Sequence, residues 1–335
     1  MKSNRLLLTL AWLLVAWVSK AQYTEDILGT TYQQQTICMP DDYEGKTVST
    51  LVRDAEPQTG RRAILYIHGY NDYFFQAQLG DSVAAHGYNF YALDLRKYGR
   101  SLLPNQDAFY CRSLDEYFAD IDTAIALIQK EGSRDIILMG HSTGGLISSY
   151  YLKHHPQAPV VGLALNSPFL DWNFGWFMES VAIPTVSFLG KFFPDWIIQG
   201  TSGDASYAKS LLQTFKGEWT FDTSLKMPLG HPKKAGWIRA IHSAQQDIQD
   251  ECAIQCPILL LSSTRSYPET NEWHDEYMSS DIVLSVDDIQ KFGKQLGPNV
   301  TAREIEGGIH DLILSPKPAR DHTYQILFGW LDSIK

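Results

Sequence analysis

Five short stretches of this chain are almost unbroken in apolar residues: Ala63 to Ile67, Asn89 to Leu93, Ile136 to Met139, Val160 to Leu165 and Ile258 to Leu261. A strand with one wet face alternates. One that is apolar at every position must be covered on both faces, as in a parallel sheet with helices on each side. Helical patterns fall between the runs. The clearest opens on Ser113-Leu114-Asp115-Glu116, a capping box, and sets Leu114, Phe118, Ile121, Ile125 and Ile128 on one stripe. Residues 324–334 carry another stripe: Leu327, Trp330, Leu331 and Ile334. Ahead of the first run, Tyr23 to Arg53 reads as two strands around a turn at Pro40 to Gly45. The alternation predicts an α/β fold with a mostly parallel, doubly wound sheet. At 335 residues and 44% hydrophobic the chain can bury a large core.

The rhythm breaks between residues 171 and 250. Trp172, Phe174, Trp176, Phe177, Phe188, Phe192, Phe193, Trp196, Trp219, Phe221 and Trp237 crowd there, with Pro184, Pro194, Pro228 and Pro232 among them. The segment reads as a mainly helical, aromatic-rich cap inserted into a core made of 22–170 and 251–335. A cap over the strand ends would wall an apolar pocket, with a minority of these aromatics lining it and the others gluing the cap to the core.

The third run stops at Gly140-His141-Ser142-Thr143-Gly144, and a helix is expected from Leu146 to His155. Strand, sharp turn and helix make the setting in which a serine becomes a nucleophile, with small flanking residues because the turn is tight. A serine hydroxyl needs a base, which should follow the last strand. Residues 300–305 read as that strand, and Glu306-Gly307-Gly308-Ile309-His310 follows, giving His310 as the base. The acid belongs after the strand at 257–262, where the loop is long. Asp281, just ahead of a helix starting near Ser285, is the first choice, and Asp275 the second. Asp287 and Asp288 read as first-turn helix acids. An oxyanion needs two N–H donors, and the candidates are the backbone amides of Thr143 and of Tyr70. His68 fits a structural role holding the Tyr70 loop.

These motifs resemble the α/β-hydrolase superfamily, in particular its branch of monoacylglycerol lipase-like and lysophospholipase-like enzymes and serine aminopeptidases. The resemblance rests on His68-Gly69-Tyr70, Ala92 to Ser101, Gly140 to Gly145 and Gly308 to Leu312, and runs from about residue 45 to the end, except the cap. It implies an α/β-hydrolase fold, acyl transfer through a Ser-His-Asp triad and no cofactor, with Asp94 and Arg96 bracing the site. Two departures stand out. Lys97 occupies a position where the branch usually has glycine, expected to be harmless, and the acid loop lacks a short Gly-x-x-Asp.

The expected function is hydrolysis of small-molecule carboxylic esters with an apolar acyl part, through an acyl-enzyme. An aminopeptidase-like hydrolase is the alternative and would need cap acids, such as Glu179, Asp204, Glu218 or Asp222, to hold a free amino group. A non-catalytic binding module is the other alternative, and the intact serine and histidine oppose it. Net charge is −10 with no basic run, which argues against a nucleic-acid partner. Lys2 and Arg5, an apolar stretch from Leu6 to Val18 and Ser19-Lys20-Ala21 read as a signal peptide at 1–21, cleaved for export to a secreted or periplasmic place. The stretch is short for a span of ~20 residues, so no stable membrane anchor is expected. Cys38, Cys111, Cys252 and Cys256 allow one or two disulfides or four free thiols, and their spacing suits no metal site.

Overall fold

The computed structural model describes residues 22–200, 205–270 and 272–334. The leader expected at 1–21 lies outside them. The chain begins with three antiparallel strands, β1 (Thr24–Asp26), β2 (Gly29–Asp42) and β3 (Gly45–Asp54). There follow β4 (Ala63–Ile67), α1 (Ala77–Ala85), β5 (Asn89–Asp94), α2 (Phe118–Lys130), β6 (Ile136–His141), α3 (Thr143–His154) and β7 (Val160–Asn166). The next part holds α4 (Ile183–Gly190), β8 (Ile197–Gln199), α5 (Ser206–Leu211), β9 (Lys233–Lys234) and α6 (Ala235–Asp250). The chain then closes with β10 (Ile258–Ser263), α7 (Val286–Gly293), β11 (Val300–Ile305) and α8 (Lys317–Ser333).

One sheet of nine strands runs in the order β1-β2-β3-β5-β4-β6-β7-β10-β11. From β5 to β11 every pair is parallel, and β3 joins β5 antiparallel. Successive side chains of a strand leave by opposite faces. In β4, Ala63, Leu65 and Ile67 enter one hydrophobic cluster with residues of α2, α3 and α6, whereas Ile64 and Tyr66 enter another with residues of α1 and α8. Two covered faces are why the runs are apolar throughout. The capping box forms as read: Ser113 Oγ accepts from the Asp115 amide, and Glu116 reaches back to the amides of Arg112 and Ser113.

The insertion is smaller and less helical than its sequence suggests. α6 was expected within it, yet Trp237, Ile238, Ala240, Ile241, Ala244 and Ile248 are buried in the same cluster as the sheet's own residues. α6 is the crossover helix from β7 to β10, and its aromatic Trp237 misled the boundary. The segment before it mixes α4, a helical turn at Met178–Ala182, α5, long turns and the β8–β9 pair. Among the described residues no helix is long and apolar enough to cross a membrane. The four cysteines are unpaired.

Lys97 is far from idle. It takes φ +65, the left-handed region where glycine would be at ease. Its fully buried ammonium lies 2.7 Å from Asp42 and 2.6 Å from Glu44, at the β2–β3 turn. The ion pairs tie that turn to the loop after β5 and offset the backbone strain.

Candidate active site

Three glycines let the turn between β6 and α3 close. A Cβ on Gly140 would lie 2.5 Å from the Gly144 carbonyl oxygen, and one on Gly144 would lie 2.3 Å from the backbone oxygens of Ile67 and His68. On Gly145 it would meet Pro168 at 2.7 Å. Ser142 itself sits at φ 52, ψ −119, a strained conformation for a side-chain-bearing residue. Its amide donates to the Asn166 carbonyl at the end of β7, and its carbonyl accepts from Gly145, Leu146 and Phe169. The strain is thus held by neighbours on both sides.

His310 follows β11 through Gly307, at φ +70, and Gly308. The Gly308 carbonyl accepts from Ser263 Oγ, and the Ile309 amide donates to Ser315 Oγ. His310 Nε2 lies 3.0 Å from Ser142 Oγ, and Nδ1 lies 2.9 Å from Asp281 Oδ2. A carboxylate at Nδ1 holds the proton there, so Nε2 faces the serine as an acceptor. All three side chains are buried, Asp281 at 0% exposure.

Asp281 reaches this place because the loop after β10 doubles back. The Asp281 amide donates to the Arg265 carbonyl, and the Tyr267 amide donates to the Asp281 carbonyl. Asp281 Oδ1 accepts from the amides of Val283 and Leu284. Asp275 is not brought to His310; its carboxylate accepts from Trp273 Nε1. Asp287 and Asp288 lie in the first turn of α7, capped by Ser285.

Thr143 is the first residue of α3, so its N–H belongs to the open end of that helix. Tyr70 borders the same cavity as Ser142. Gly69 allows the approach, since a Cβ there would lie 3.1 Å from the Ser142 Cβ. His68 Nε2 accepts from the Leu95 amide and Nδ1 donates to the Gly69 carbonyl, which fixes the loop as expected. Asp94 accepts from the Phe74 amide and from Arg100, and Arg96 pairs with buried Asp120 at 2.6 Å.

A second ring of residues escaped the sequence reading. Asp311 accepts from Asn166 Nδ2 at 2.7 Å and from Gln76 Nε2, while Asn166 Oδ1 accepts from the Leu312 amide. His141, its ring beside that of His310, bonds the Asn166 carbonyl. Burial lowers its pKa below the usual imidazole range. Two polar signals were available: Asn166 closes an apolar run, and Asp311 directly follows His310.

The cavity over Ser142 has a volume of about 240 Å³. The core supplies Tyr70, Asp72, His141 and His310, and the insertion supplies Tyr207, Phe221, Lys226 and Lys233. Of the eleven aromatics counted in the sequence, Phe221 alone lines it. Trp237 lines an adjoining cavity of about 200 Å³ with Phe109, Tyr110 and Ile197, and Tyr70 and Lys233 border both. Among the described residues no group of His, Cys, Asp and Glu side chains is arranged to hold a metal ion.

A family model described as serine aminopeptidase, S33, matches residues 58–317, a span containing Ser142, Asp281 and His310. The chain belongs to this family of hydrolases. Among solved structures, a monoacylglycerol lipase from Paleococcus ferrophilus superposes with a TM-score of 0.63 at 20% identity, over 85% of this chain and 99% of that one. A soluble variant of monoglyceride lipase from Saccharomyces cerevisiae gives a TM-score of 0.63 at 16% identity, over 94% and 99%. At such identities the likeness establishes the α/β-hydrolase fold of this S33 family member. AB hydrolase superfamily protein YisY of Bacillus subtilis (strain 168) is 33% identical over 108 residues, 32% of this chain and 37% of that relative's length.

Proposed function

We propose that this α/β-hydrolase is an exported serine hydrolase that cleaves small carboxylic esters with an apolar acyl part. The observation that carries the reading is the buried relay from Asp281 Oδ2 through His310 to Ser142 Oγ, at 2.9 and 3.0 Å. Ser142 Oγ attacks the acyl carbon as its proton passes to His310 Nε2. The tetrahedral oxyanion accepts from the Thr143 and Tyr70 amides. His310 then gives its proton to the leaving alkoxide. Water enters and attacks the acyl carbon as His310 takes its proton, and the acid leaves as His310 returns that proton to Ser142 Oγ. The adjoining cavity with Phe109, Ile197 and Trp237 suits the acyl chain.

The cap acids on which the aminopeptidase alternative leaned do not reach the cavity: Glu179 accepts from the Phe174 amide, Glu218 pairs with Arg320 and Asp222 caps its own turn, and none of the three lines it; Asp204 lies outside the described residues. The cavity's own charged lining is Asp72, paired with Lys226 at 2.7 Å, together with Glu269 and Lys233, whose pKa is lowered by burial. The apolar leader at 1–21 motivates export, to be tested by amino-terminal sequencing of protein recovered outside the cytoplasm. Retention of Met1 on cytoplasmic protein would refute it.

A fluorophosphonate probe should label the wild type and leave Ser142→Ala unlabelled. In a screen of acyl esters of graded length beside aminoacyl anilides, esters should win, and kcat/KM should climb with chain length by up to ~0.8 kcal/mol per methylene until the cavity is full. Faster cleavage of anilides, or labelling that persists in Ser142→Ala, would overturn the proposal.

A further inference from the structure

The loop after β4 carries Tyr70, and the residues that follow it are gripped one after another by the insertion. Asn71 Nδ2 donates to the Met227 carbonyl, and the Met227 amide donates to Asn71 Oδ1, both at 2.8 Å. Lys226 Nζ donates to Asp72 Oδ1 at 2.7 Å in a buried pair. The Asp222 amide donates to Tyr73 Oη at 2.9 Å. Phe221 lies on Phe75 with ring centroids 4.9 Å apart. Numbers rise along the loop as they fall along the insertion, so the two stretches run side by side in opposite senses. The grip starts at the residue after Tyr70, and Asn71 is held at φ 50, a conformation asparagine tolerates.

An oxyanion donor works only if it stands where the oxygen will be, since a displacement of about 1 Å can cost ~10²-fold in rate. His68 and Gly69 anchor what comes before Tyr70, and on its far side the core takes hold again only at Phe74, whose amide donates to Asp94 and whose carbonyl accepts from Arg100, so residues 71–73 between them are held chiefly by the insertion. We propose that segment 221–227 of the insertion is a positioning element that sets the Tyr70 N–H through Asn71, Asp72 and Tyr73. The roof of the cavity and the oxyanion donor then move as one, so whatever lifts the roof also slows the chemistry. This rests on the serine-hydrolase reading above.

The test uses Asn71→Gly, which keeps the positive φ and removes both hydrogen bonds to Met227. Expected is a fall in kcat, per fluorophosphonate-titrated site and on a short ester, of roughly 10- to 100-fold, below the ~10²–10³ a whole oxyanion donor is worth. KM should stay within about two-fold. Affinity for a boronic acid, whose tetrahedral adduct on Ser142 places an oxygen at the donors, should weaken by a similar factor, and Asn71→Asp, which keeps the acceptor for the Met227 amide, should recover part of it. A purely structural grip would lower the melting temperature and leave kcat per titrated site within about two-fold of wild type, which would overturn the proposal. Should Asn71→Gly fail to fold, Tyr73→Phe removes only the acceptor for the Asp222 amide and carries the same test: a kcat drop supports the proposal and an unchanged kcat overturns it. Absence of fluorophosphonate labelling at Ser142 in the wild type would bring down the hydrolase reading, and this inference with it. Normal labelling with a normal Asn71→Gly brings down the inference alone.

Discussion

The sheet core and the insertion use aromatic residues in opposite ways. In the core Tyr66, Phe90, Tyr91 and Tyr98 are sealed from solvent. In the insertion Trp176 is 75% exposed and Phe188 64%, and Phe174, Phe177, Phe192, Phe193 and Trp196 are exposed too. The core therefore fixes geometry by packing, and the turn that carries Ser142 is hemmed in by the backbone of β4 and by Pro168. The insertion reaches the site mainly through residues 205–233, such as Tyr207, Phe221, Lys226 and Lys233, and leaves its most aromatic stretch turned outward. Density of aromatics did not say which face of the segment meets the cavity.

Four variations should break or sharpen that contrast, and the largest effect belongs to the core. Asp281→Asn should cut kcat by about 10⁴-fold, because the amide favours the wrong imidazole tautomer, whereas Asp275→Asn should be nearly normal; ester kinetics on both decide whether the carboxylate at His310 is the working one. Gly144→Ala should lose folded protein or activity together, since its methyl would fall 2.3 Å from backbone oxygens of β4 and the adjoining loop; overpacking costs about 1–3 kcal/mol, read as the shift of the denaturation midpoint. Acid should weaken the core next. Burial depresses the folded-state pKa of His141 from 6.5, so the unfolded chain takes up a proton before the folded one does. The stability present above pH 6.5 should be lost progressively as pH falls below it, and a melting temperature that is flat or rises toward acid would contradict this. Smallest of all, Trp176→Ala on the outer face should change stability by no more than about 0.5 kcal/mol and leave kcat on short esters alone; a large loss there would mean that the exposed stretch belongs to the working site.

Much of this molecule is legible in its residues. The five inner strands β4, β5, β6, β7 and β10 are announced by apolar runs, since a strand with two covered faces has little other composition open to it. Ser142 and His310 are announced by glycines that only tight backbone turns need. The carboxylate at His310 was harder to place. Family logic puts the proposed acid directly after β10, and in space Asp281 lies there, paired with 265–267. In sequence the excursion between Tyr267 and Ser280 separates it from the strand, and no local pattern reports that a loop returns. The supporting ring of Asn166, Asp311 and Gln76 was missed for the same reason, because its members meet only through the sheet order. Lys97 reads from sequence as a neutral departure from a glycine, because its partners Asp42 and Glu44 sit in an acidic turn more than fifty residues earlier that no local pattern links to it.

Ser142 and His310 are 168 residues apart in the chain, and the histidine hangs from β11, the last strand made and an edge of the sheet. Synthesis proceeds from the amino end at about 5–20 residues per second. The serine turn is therefore synthesised on the order of ten to thirty seconds before the histidine that it meets in the folded chain. On the proposed mechanism a chain interrupted anywhere before β11 would carry a nucleophile with no base, and acquiring activity would coincide with completing the sheet.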